Sequence, residues 1–158
     1  MGLDAFVYCD CFERDNLRCS PPSGAEIIVA EDGNLVCESA DDEVWAAFNL
    51  WKSTKACLHP QMIVVHRALG ATAVIDQLRA EISKDQARFP LLLRKVLYNG
   101  THTCDWIPLA HMEQLGAEVK QLSEHRLKGA TGDALHLFQI QLAELIIAAQ
   151  VVKKPICF

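Results

Sequence analysis

Near the N-terminus, apolar and polar positions alternate with the two-residue period of an extended chain. In AFVYCDCF, residues 5–12, Val7, Cys9 and Cys11 fall on one side and Phe6, Tyr8 and Phe12 on the other, which predicts a strand with both faces largely buried. The segment ERDNLRCSPPSG then reads as a loop, because Pro21, Pro22 and Gly24 prevent regular pairing. EIIVAEDGNLVCE splits into two short apolar runs about Asp32-Gly33, a hairpin signal because glycine accepts positive φ. Three strands are therefore expected before residue 40.

Beyond that point the period becomes helical. Ser39, Asp41 and Asp42 offer N-caps for a helix over 42–56, whose Val44, Trp45, Phe48 and Trp51 lie on one stripe. The tryptophans Trp45, Trp51 and Trp106 are expected as core anchors. Pro60 could open a second helix, interrupted by Gly70 before a helix over 72–87 that carries Val74, Ile75, Leu78 and Ile82. FPLLLRKVLY is either a short helix or a buried strand, and residues 99–108 form a loop by composition. Pro108 starts a helix to about Arg126. A last helix over 133–152 has Leu135, Phe138, Leu142, Leu145 and Ile146 on one side and Ile140, Ile147 and Val151 on another. The predicted fold class is α+β, a single domain over 1–158 with a small N-terminal antiparallel sheet of about three strands packed against four to six helices.

With 158 residues, 51% hydrophobic and 22% charged, the chain has the composition of one globular domain large enough to bury its own core. MGLDAFVYCD has neither a basic region nor a long apolar run, so no secretory signal is expected and the cytosol is the expected compartment. His136, Gln139, Gln141, Glu144 and Gln150 interrupt the apolar run of the last helix, which argues against a membrane partner. A helix apolar on two sides is either central to the core or shared with a second copy, so a homodimer through this helix is expected.

Charge divides the chain unevenly. Residues 1–50 hold eleven carboxylates against Arg14 and Arg18, a balance of −9, while the remainder is positive and brings the total to −5. An acidic front excludes nucleic acid as its partner, since a phosphate-neutralising surface must be basic. It suits a basic protein partner instead, with Asp41, Asp42 and Glu43 as docking residues. An acidic surface that is merely solvated has the same composition.

Seven cysteines in a reducing compartment are expected as thiols, and small buried hydrophobes are their commonest role. Cys9 and Cys11 nevertheless point their sulfurs the same way, and with Cys19, His59 or His66 they could hold Zn²⁺ or Cu(I). No cofactor is expected, zinc being the one that this set could take. A second candidate is THTCDW, where His102, Cys104 and Asp105 crowd a polar turn: His102 as a base oriented by Asp105, and Cys104 as a nucleophile. The chain has no phosphate-binding glycine loop, no G-x-S-x-G, no H-E-x-x-H and no paired C-x-x-C. The favoured expectation is accordingly a non-enzymatic protein-binding module of inhibitor or immunity type. The alternative is a metal-dependent or thiol enzyme centred on His102, Cys104 and Asp105.

MGLDAFVYCDCFE, with YNGTHTCDW and the helix that follows, resembles a group of small bacterial proteins that open MGLD with a cysteine-containing first strand. The resemblance implies a bacterial, cytosolic protein and brings no catalytic residue with it.

Overall fold

The computed structural model describes residues 2–98, 102, 104–125 and 129–158. The architecture is α+β, as the change of period along the chain predicts. β1 (Gly2–Tyr8) starts and ends earlier than the predicted 5–12 strand, and only one of its faces is buried: Leu3, Ala5 and Val7 are covered, whereas Phe6 and Tyr8 are half-buried and Asp4 is exposed. β2 (Ile27–Val29) and β3 (Leu35–Cys37) form the expected hairpin, and Gly33 takes φ 84 in its turn. The three strands do not make one sheet, however. β2 and β3 stand apart as a two-stranded ribbon, while β1 pairs with strands from the middle and the end of the chain.

α1 (Asp42–Thr54) starts where its signals place it. Asp41 is the N-cap and accepts from the backbone N–H of Glu43 and Val44, and Asp42 and Glu43 fill the first turn. Phe48 and Trp51 are buried, but Trp45 is 55% exposed and is no core anchor; Trp106 is half-buried. The expected helix at Pro60 is replaced by a single turn at Pro60–Met62 and a nine-residue strand, β4 (Ile63–Ala71). β-branched Ile63, Val64 and Val65 favour extension, and β1 supplies an antiparallel partner along the whole of it, from Gly2 opposite Ala71 to Tyr8 opposite Ile63.

α2 (Thr72–Ile82) is shorter than predicted, and Leu92–Val96 resolves the ambiguous apolar run as one π-helical turn. β5 (Trp106–Ile107) lies in the predicted loop, part of which falls outside the described residues. α3 (Met112–Gln121) follows, and the predicted helix end at Arg126 is also outside them. α4 (Gly129–Val152) leads to β6 (Ile156–Cys157), which inserts between β1 and β5 to give the antiparallel order β4-β1-β6-β5.

Two apolar clusters result. The larger lies between the sheet and α2, α3 and α4, with Val7, Leu78, Ile107, Leu115, Phe138 and Leu142 at its centre. The smaller gathers Cys9, Cys11, Leu35, Phe48, Trp51, Ala56, Cys57 and Met62 under α1 and the hairpin. It is in this second cluster that sulfur concentrates.

Candidate metal centre

Cys9 and Cys11 follow the end of β1 and keep its alternation, so both remain on the Val7 side and both are buried, at 3% and 4% exposure. The antiparallel pairing of β1 with β4 brings the approach to β4 alongside this exit. Cys9 N–H donates to Met62 O at 2.7 Å, and Arg18 N–H donates to Ala56 O at 2.8 Å. Within that approach, Cys57 and His59 are also one residue apart, and Leu58 between them is turned out to 72% exposure. Gln61 and Met62 then take φ values of 54° and 59°, a left-handed pair unusual for residues with side chains. That bend returns the chain from the cysteine cluster into β4.

The outcome is a four-donor cluster. Cys9 Sγ and Cys57 Sγ are 3.7 Å apart, Cys11 Sγ and His59 Nδ1 are 3.4 Å apart, and Cys57 Sγ and His59 Nδ1 are 3.7 Å apart. All four donor atoms lie within 4.8 Å of one another. A tetrahedral zinc ion with Zn–S near 2.3 Å and Zn–N near 2.0 Å sets its ligands about 3.5–3.8 Å apart. Three edges of the cluster match that spacing.

Burial is the main force on the thiols. It raises the Cys9 and Cys11 pKa values above the usual thiol range, so these two thiols favour the neutral S–H form and a cation bound here would have to displace their protons. A small cavity of about 140 Å³, lined by Cys11, Asn16, Leu17, Arg18, Leu58 and His59, opens on the Cys11–His59 edge and provides a route from solvent.

Of the five residues that the sequence suggested as ligands, Cys9, Cys11 and His59 are brought together and Cys19 and His66 are not. Cys19 is exposed, and its carbonyl accepts from Trp51 Nε1 at 2.8 Å. His66 projects from β4, 56% exposed, with Nε2 3.6 Å from Asp4 Oδ1. The missed ligand is Cys57. Its signal was present, since C-x-H at 57–59 repeats the spacing of C-x-C at 9–11.

The second candidate trio is only partly assembled. His102 Nδ1 lies 3.5 Å from Asp105 Oδ2, beyond hydrogen-bond geometry, and Asp105 instead accepts from the Tyr98 hydroxyl. The imidazole packs against the rings of Tyr98 and Phe158, with centroids 4.4 and 4.7 Å away, and burial holds its pKa below the ordinary value although Asp105 opposes the shift. Cys104 is exposed at φ 59°. Among the described residues, no base or cation is within hydrogen-bond or ion-pair distance of Cys104 to stabilise its thiolate. No protein family, curated protein or solved structure matches this chain.

Proposed function

We propose that the chain is a zinc-binding protein in which Cys9, Cys11, Cys57 and His59 hold one ion. The observation that carries this reading is the set of donor distances, 3.4 to 3.7 Å, in a cluster drawn from two segments 48 residues apart. Three thiolates and an imidazole favour zinc over hard cations such as Mg²⁺ or Ca²⁺, and four protein ligands make a closed, structural centre. The ion would cross-link the exit of β1 to the entrance of β4, in the smaller cluster that supports α1. A purified protein exposed to no chelator is expected to contain one zinc per chain by plasma mass spectrometry. Cys57→Ala should lose the zinc, and Cys19→Ala should keep it. A wild-type protein that neither contains zinc nor takes it up from a zinc-buffered solution refutes the proposal.

One observation favours a second reading, a non-enzymatic docking surface for a basic protein. Trp45 stands 55% exposed on α1 one turn from Asp41, beside the exposed Asp42 and Glu43. A solvent-facing tryptophan with flanking carboxylates suits an aromatic anchor with charge steering. Asp41 caps the helix, so the test uses Trp45→Ala and the Asp42→Lys, Glu43→Lys pair. A basic protein that co-purifies with wild type should be lost from both variants and released by salt. Unchanged recovery from both variants counts against this surface.

A further inference from the structure

A cavity of about 550 Å³, within the size range of small-molecule sites, lies across β1 from the cysteine cluster and is lined by Tyr8, Asn49, Leu50, Lys52, Ser53, Gln61 and Ile63. Its walls combine an apolar lining with unspent hydrogen-bond donors. Lys52 is half-buried, and its ammonium donates to Asn34 Oδ1 and to Leu35 O, so one of its three N–H groups remains for the cavity. No carboxylate lies within ion-pair distance of it among the described residues. The Tyr8 hydroxyl and the Gln61 amide likewise have no acceptor among the described residues. The Lys52 ammonium lies over the Tyr8 ring, with Nζ 5.6 Å from the centroid, which holds the cation beside Tyr8 at the cavity wall.

Gln61 holds its place through a costly backbone conformation. It is the first of the two consecutive left-handed residues, and such strain persists where surrounding structure enforces it, commonly at binding sites. Donors without acceptors, a cation with no carboxylate in ion-pair contact among the described residues, and apolar Leu50 and Ile63 suit an acceptor-rich ligand with an apolar body. We propose that this cavity binds a small organic carboxylate, its anionic head on Lys52, Tyr8 and Gln61 and its hydrocarbon part on Leu50 and Ile63. Burial lowers the Lys52 pKa, and the charge of Asp32, which makes no direct ion pair with it, works against that shift. None of these contacts requires the metal, so the two proposals can fail separately.

The test titrates isotope-labelled, zinc-supplemented protein with benzoate and with benzamide, its uncharged counterpart, and follows backbone amide shifts. For a ligand this small a dissociation constant on the order of 1 mM is expected, with saturable shifts at Tyr8, Asn49, Ser53 and Gln61. Benzamide should bind at least about tenfold more weakly, and Lys52→Met should abolish that difference. Tyr8→Phe, which removes only a hydroxyl, should weaken benzoate by several-fold; it decides the matter with the benzamide comparison if Lys52→Met does not fold. Equal binding of benzoate and benzamide overturns the inference. So does the absence of saturable shifts at about ten times the expected constant, or shifts located elsewhere on the molecule.

Discussion

Glu118 is only 3% exposed in α3, yet its carboxylate accepts from three donors: Leu91 N–H at 3.1 and 3.0 Å to its two oxygens, Leu92 N–H at 2.8 Å and Gln114 Nε2 at 2.9 Å. It thereby caps the turn at Leu92–Val96 from another element, satisfying backbone groups that no residue of that turn reaches. Glu118→Ala would strand these donors in the core and should cost about 3 kcal/mol in urea unfolding, whereas Glu118→Gln should cost less because an acceptor remains. His102 supplies a pH signature. Its folded pKa lies below the ordinary 6.5 because the ring is buried, so its contribution to stability is complete above that value and lost as pH falls through the window beneath it. His102→Gln should therefore flatten the fall in thermal midpoint between about pH 7 and pH 5; an unaltered pH profile would assign that loss to other groups.

Between elements, the two apolar clusters differ in what joins them. The larger one is closed by α2, α3 and α4 over the sheet, while the smaller has α1, the hairpin and two irregular segments that meet through Cys9, Cys11, Cys57 and His59. Removing the proposed ion should thus loosen one layer and spare the other. Chelation followed by hydrogen exchange is expected to raise exchange across 9–19 and 55–62 and to leave α3 and the buried face of α4 protected. Uniform loss of protection would instead make the centre a requirement for the whole fold. β4 also belongs to this scale. Its apolar run could have entered a helix, and its antiparallel pairing with all seven residues of β1 made it a strand.

For the whole molecule, α4 is the decisive element. Its 24 residues have a mean hydropathy of 1.6 over the most apolar stretch, enough by length and composition to cross a membrane, and Leu135, Phe138, Leu142, Leu145, Ile146 and Ala149 are packed into the core. The opposite stripe is open in the single chain: Ile140, Ile147 and Val151 are 43%, 61% and 69% exposed. We expect this stripe to be shared between two copies, because one patch can serve both partners of a two-fold pair. Light scattering at micromolar concentration should report a dimer for wild type and a folded monomer for Ile147→Glu. A wild-type monomer would discard the dimer, and the variant should fold in either case because the side chain is already exposed.

Local physical signals were sufficient for several of these features. Asp41 and its acidic neighbours defined the start of α1, Asp32-Gly33 the hairpin, and the spacing of Leu, Phe and Ile the two faces of α4, because caps, turns and periodicity act within a few residues. The alternation through Val7, Cys9 and Cys11 likewise placed three buried side chains on one side of the chain. What remained needed partners distant in sequence. β5 and β6 have two residues each and exist through pairing with one another and with β1, so no local pattern could mark them. The candidate centre was half legible for the same reason: C-x-C and C-x-H each orient two donors locally, but their meeting depends on the register of β1 against β4. The exposure of Trp45 and the cavity beside Lys52 follow from how α1 lies on the smaller core, and only tertiary packing decides that.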